Sequence, residues 1–118
     1  MSSIYKVLTE EEWKHATSLG YVTTELDKKD GFIHLSTSKQ LALTLHLYFK
    51  NSQKVILLEI DQNSIEHKIV FEEAKSGSRL GKFAHLYGKL LIKNVKKEWT
   101  LKRNGFDLPK KVLEESEE

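Results

Sequence analysis

Two histidines stand where chemistry could be done. His34 sits in the run F-I-H-L and His85 in the run F-A-H-L, both otherwise apolar and strand-like. Each is two residues from a hydroxyl, Ser36 for His34 and Tyr87 for His85. In an extended strand, residues i and i+2 share a face, so each imidazole has a hydroxyl neighbour able to orient one ring nitrogen. Glu72 closes a third apolar run, K-I-V-F-E. A carboxylate beside an imidazole raises its basicity, and can also orient a sugar hydroxyl. The alternative is that each histidine is structural, its two nitrogens satisfied within the core. The other three histidines, His15, His46 and His67, fall on helical or charged segments and read as surface or partly packed rings.

Other chemistries are excluded or disfavoured by composition. The chain has no cysteine, which removes disulfides, thiolate metal sites and cysteine nucleophiles. Ser36 lacks the G-x-S-x-G elbow of a serine hydrolase. No H-x-H or H-x-x-x-H spacing sets up a local metal site, so no metal is expected even though His34, His85 and Glu72 could meet in space. Asp30, in the turn dipeptide Asp30-Gly31, reads as a turn former. Neither a dinucleotide fingerprint nor a Walker pattern is present. The net charge is only +2, and the late lysines lack interleaved aromatics, so nucleic acid is not the favoured partner.

The elements that must position these residues follow from periodicity and caps. Residues 4–8 (I-Y-K-V-L) form a strand with Ile4, Lys6 and Leu8 on one side. Thr9 and Glu12 make a capping box for a helix ending at Leu19, with Gly20 as its left-handed stop and Trp13, Ala16 and Leu19 as its inward stripe. Residues 21–26 read as a weak edge strand and 27–30 as a charged turn. Residues 32–35 form the strand of the first histidine, with Ile33 and Leu35 facing the core and Phe32, His34 and Ser36 the other way. Thr37 and Gln40 cap a second helix over 39–49, carrying Leu41, Leu45 and Tyr48 on one stripe. Its first N–H groups, at residues 38–40, are placed to favour an anion. Residues 54–60 (K-V-I-L-L-E-I) are a nearly continuous apolar run, as in a central strand covered on both faces. A capped turn over 61–67, strands over 68–72, 83–88, 90–92 and 95–101, and a mobile glycine-serine loop over 74–82 complete the pattern. Trp99 is a late anchor.

At 118 residues, 39% hydrophobic and 31% charged, the chain reads as a single globular α+β domain over 1–109 followed by an acidic tail at 110–118. Without a signal-like or membrane-spanning apolar run, a cytoplasmic protein with no membrane partner is expected.

The two histidine motifs together carry a resemblance. D-G-F-I-H-L-S-T at 30–37 with F-A-H-L-Y-G at 83–88 resembles the bacterial family called domain of unknown function 952, whose second motif usually reads F-P-H-L-Y-G-P-L. I-Y-K at 4–6, Trp13, Gln40 and V-I-L-L-E-I-D at 55–61 add to it, so that it spans roughly 4–109. The chain departs at Ala84 and Lys89, where proline is common, and at Phe71-Glu72, where Trp-Glu is usual. The family has no established activity, but its fold is thought related to that of ADP-ribosyltransferases, with a split β-sheet holding NAD, and the x-H-L-S motif is similar to that of RNA 2′-phosphotransferases. Those enzymes carry H-G-T in the first strand, where this chain reads Tyr5-Lys6-Val7-Leu8-Thr9, and only Arg79 stands as a counterpart to their phosphate-binding arginines.

The resemblance implies an ADP-ribosyltransferase-like domain with two N-terminal helices and a cleft for NAD or another nucleotide-like or anionic small molecule. It implies His34, Glu72 and His85 as catalytic residues and Ser36, Thr37, Tyr87 and Gly88 as residues contacting the cofactor. Two alternatives stay open: the same cleft in a non-catalytic binding module, or both motifs acting as a hydrogen-bonded clasp between strands. A shared site requires His34, Glu72, His85 and Tyr87 to converge.

Overall fold

The computed structural model describes residues 4–49, 53–65, 68–73 and 82–102, with the side chains of 43 and 46–48 outside that set. The 74–81 loop, His67, the side chain of His46, and everything from 103 onward, including the expected acidic tail, lie outside the described residues. Among the described residues no helix is long and apolar enough to cross a membrane.

The frame is a four-stranded antiparallel sheet in the order β4-β1-β5-β9. β1 spans Ile4–Thr9, β4 Ser36–Thr37, β5 Lys54–Ile60 and β9 Val95–Lys102. β5 is the central strand its composition predicts, pairing with β1 from Ile4↔Ile60 to Thr9↔Val55 and with β9 along its other side. Alternation along it serves two cores: Ile56, Leu58 and Ile60 join Ile4 and Leu8 in one cluster. Val55 and Leu57 join Tyr5, Val7, Leu41, Leu45 and Leu101 in the other. The second cluster lies under α3 (Leu41–Phe49), which presents Leu41 and Leu45 to the sheet, with Trp99 packed at its margin.

The first cluster is closed by α1 (Glu10–Leu19), by a two-stranded pair of β2 (Tyr21–Val22) with β8 (Leu90–Leu91), and by a three-stranded sheet. That sheet runs β3-β7-β6, with β3 at Ile33–His34, β7 at Lys82–Leu86 and β6 at Ile69–Glu73. Ile33, Leu35, Ala84 and Leu86 face the core cluster from it. The chain leaves one sheet and enters the other within three residues: β3 pairs with β7, Leu35 bridges, and β4 pairs with β1.

The caps form as expected. Thr9 Oγ1 accepts from Glu12 N–H at 3.1 Å, Glu12 Oε1 accepts from Thr9 N–H at 2.8 Å, and Gly20 ends α1 with φ of 91°. Gln40 Oε1 accepts from Thr37 N–H at 3.0 Å, closing a 3-10 turn that leads into α3.

Three expectations need correction. Residues 27–30 are not a turn but most of α2 (Glu25–Asp30), so the fold has a third, short helix. The strand expected over 21–26 is only two residues long, because Thr24 instead caps α2 through a reciprocal pair with Asp27. Leu19 is 43% exposed, leaving Ala16 and the partly buried Trp13 to anchor α1.

Candidate functional site

The register of β3 against β7 sets His34 directly opposite His85. β7 pairs on its other side with β6, where Val70 opposes His85 and Glu72 opposes Phe83. Because alternate residues share a face, Phe32, His34, Glu72, Phe83 and His85 lie on the side of this sheet turned away from the core. Tyr87, just past β7, folds back onto them.

Glu72 is the meeting point. Its Oε1 accepts a hydrogen bond from the Tyr87 hydroxyl and lies 2.8 Å from His85 Nδ1. The Glu72 side chain is 37% exposed, while His85 is 1% exposed and lies stacked on Phe32, ring centroids 4.0 Å apart. Phe32 also touches the rings of His34 and Tyr87, and the two histidine rings meet edge-on at 5.7 Å. The hydrogen bond to Glu72 raises the Tyr87 pKa above its usual value, so the phenol stays protonated and keeps donating at neutral pH. The result is a half-exposed carboxylate fixed by two donors beside an aromatic floor.

His34 is held from the other direction. Its Nδ1 lies 2.7 Å from Asp27 Oδ1 and its Nε2 lies 2.8 Å from Asp30 Oδ2, while its backbone N–H donates to Asp27 Oδ1 at 3.0 Å. Two carboxylate acceptors are both satisfied only when each ring nitrogen carries a hydrogen. Asp27 is buried, and Lys6, 4% exposed, donates to both its oxygens at 3.0 and 2.9 Å and to the His34 carbonyl at 3.0 Å. Burial alone would raise the Asp27 pKa, but the Lys6 ammonium and the His34 hydrogen bonds outweigh it and hold the carboxyl well below the usual carboxylate range.

The expected site residues therefore divide. His34, Glu72, His85 and Tyr87 come together on one sheet face. Ser36 does not join them, because it belongs to the other sheet; its hydroxyl lies 2.8 Å from that of Thr44 on α3. Thr37 pairs with Ile4 and its N–H is taken by Gln40. Gly88 has φ of 153°, and a Cβ there would fall 2.9 Å from Lys68 Cδ, so its role in the fold is to seat the Lys68 stem beside Tyr87. Asp30, expected only to form a turn, is one of the two carboxylates on His34.

Lys6 and Asp27 were not singled out by sequence, although both left a signal. Lys6 is a charge on the inward side of an apolar strand, a position that lysine rarely takes unless paired. T-E-L-D at 24–27 is a capping-box spacing with aspartate in the third helical position. A cleft lined by Lys6, His34, Ser36 and Thr44 adjoins this cluster, and its cationic candidates among the described residues, Lys6 and His34, are both engaged with carboxylates. No group of three or more metal-ligating side chains there has the geometry to hold an ion.

Comparison with known proteins agrees with the motifs. The family described as "Protein of unknown function (DUF952)" matches residues 7–98. The crystal structure of protein CC0527 from Caulobacter crescentus is similar, with 29% identity and a TM-score of 0.79 over 97% of this chain and 98% of that one. The solution NMR structure of CC0527 gives 32% identity and a TM-score of 0.72 over 85% and 84% of the two chains. No curated protein matches.

Proposed function

This chain belongs to the DUF952 family, and from that premise we propose that it is an ADP-ribosyltransferase-like enzyme acting on NAD or a related nucleotide at the sheet face of Phe32, Glu72, His85 and Tyr87. The observation that carries this reading is the Glu72 carboxylate, half-exposed and fixed by His85 and Tyr87. A preorganised carboxylate acts where positive charge develops, and cleavage of a nicotinamide–ribose bond develops it at the ribosyl carbon. The C–N bond breaks, nicotinamide leaves with the bonding pair, and an oxygen nucleophile closes on the ribosyl carbon as its proton passes to the Glu72–His85 pair. Glu72 would also accept a hydrogen bond from a ribose hydroxyl, and the exposed Tyr87 ring offers a surface for the nicotinamide.

The charge balance selects the end of the substrate that meets this face. Three carboxylates, Asp27, Asp30 and Glu72, lie around His34 and His85, and they outnumber the Lys6 ammonium and a His34 ring with hydrogen on both nitrogens. Such a site favours a cationic ring or a cationic transition state over a phosphate. His34, with a carboxylate at each ring nitrogen, is a positioning residue that ties β3 to α2, and His85 orients Glu72.

Thermal shift with NAD, ADP-ribose and nicotinamide tests the binding half. A ligand at a hundred times its dissociation constant adds about 2.7 kcal/mol of stability, a shift of several degrees in a domain of this size. NAD is expected to stabilise the wild type and to lose most of that effect in Glu72→Gln. Absence of any shift with all three ligands would leave the clasp reading in its place.

A further inference from the structure

A cleft of ≈ 260 Å³ bordered by His34, and not by Glu72, opens between β1, the start of α1, the start of α2 and α3. Its polar lining includes Thr9, Thr24, Ser36 and Thr44, and its apolar wall Val7, Leu26 and Phe49.

The hydrogen-bond account of those hydroxyls is one-sided. Thr9 Oγ1 accepts from Glu12 N–H, and Thr24 Oγ1 accepts from Asp27 N–H at 3.2 Å. Neither hydroxyl donates to another described residue. Ser36 and Thr44 share one hydrogen bond, which uses one of their two hydrogens. Three O–H donors therefore line one cleft with no acceptor among the described residues, those of Thr9 and Thr24 on half-buried side chains, and they are open to an incoming acceptor. A ligand with several oxygen acceptors matches this set of donors.

Charge narrows the class. The Lys6 ammonium is spent on Asp27 and the His34 carbonyl, and Glu12 and Glu25 lie along the lining. An anion would meet carboxylates and, among the described residues of the lining, no cation that is not already paired, whereas a neutral polyol can accept from the threonine and serine hydroxyls and donate to the glutamates. The volume lies below the ~300–1,000 Å³ usual for drug-sized ligands, which leaves room for one sugar ring. Phe49, Leu26 and Val7 supply the apolar surface that the C–H face of such a ring covers.

We propose that this cleft is a binding site for a neutral monosaccharide unit, held by the Thr9, Thr24 and Ser36–Thr44 hydroxyls. The inference does not depend on the glycosyl-transfer reading of Glu72, and it is tested without NAD.

The probe is free D-ribose, followed by saturation-transfer difference NMR at millimolar concentration, with ribose 5-phosphate as the charged comparison. Ser36→Ala/Thr44→Val removes both partners of one hydrogen bond, so it leaves no new unsatisfied group and perturbs the fold little. Leu26→Trp fills the cleft and leaves every polar contact in place, so it decides the matter if the double variant unfolds. The expected result is transfer to ribose with wild type, ribose 5-phosphate binding no tighter, affinity reduced about tenfold in the double variant, and no transfer in Leu26→Trp. Absence of transfer with wild type, transfer that survives either variant unchanged, or tighter binding of the phosphate would overturn the proposal.

Discussion

At the scale of single residues, the site contains two histidines of similar local sequence with different duties. His34 has a carboxylate at each ring nitrogen and sits above a buried ion pair; His85 is stacked on Phe32 and turned to a half-exposed glutamate. Removing one member of a buried ion pair leaves the other charged and alone, so Lys6→Met is expected to cost about 3–5 kcal/mol, measured by urea unfolding. Asp27 also gives the protein an acid limit. Its folded pKa lies below the unfolded value of about 3.9, so the stability it contributes is fully present above that pH and is lost as pH falls further. The gap in unfolding free energy between wild type and Asp27→Asn is therefore expected to be flat from neutral pH to about pH 5 and to shrink below about pH 4. A gap that widened on acidification would reverse the assigned direction. In the sequence His34 and His85 stand out because they interrupt apolar runs, Glu72 because it closes one, and Tyr87 as the hydroxyl two residues from His85. Asp27, which reads as part of a charged turn, does not stand out, because its partners come from β1 and β3 and a carboxylate among lysines resembles any solvated surface.

At the scale of elements, α2 is the piece on which the His34 side depends. Its sequence, E-L-D-K-K-D, has no apolar periodicity, which is why no helix was expected there. What makes it a helix is the reciprocal Thr24–Asp27 cap, a left-handed Gly31 with φ of 82° at its end, and the anchoring of Asp27 by Lys6. Thr24→Ala is expected to cost about 1 kcal/mol, and Thr24→Ser much less, because serine keeps the capping oxygen. Equal losses in the two variants would show that the cap is not what holds α2. By contrast, β5 and the caps of α1 and α3 were legible in advance. A run such as V-I-L-L-E-I has few alternatives to a central strand, and a T-x-x-E or T-x-x-Q spacing closes its hydrogen bonds within four residues.

For the whole molecule, the less legible feature was the division into sheets. Pairing of β3 with β7 joins residues some fifty positions apart, and no local pattern encodes that choice. The switch at Leu35 separates Ser36 from His34 by sheet although they are two residues apart, so the simple alternation read from the sequence fails there. The two core clusters nevertheless lie on opposite faces of the same β1–β5 pair. Leu58→Ala in one cluster and Leu57→Ala in the other are each expected to cost roughly 2–5 kcal/mol. Both should lower one common transition, seen alike by near- and far-ultraviolet circular dichroism. Two separable transitions would mean that the clusters fold independently.

The central claim is that the Glu72 carboxylate, held by His85 and Tyr87, is the working group of this fold. Nicotinamide release from NAD, followed by chromatography over hours with wild type and Glu72→Gln side by side, tests it most directly. The expected result is measurable release by wild type and a fall of roughly 10²–10³-fold in the variant, with its folding transition retained. Release at the same rate in both proteins, or none in either while NAD binds, would contradict the claim.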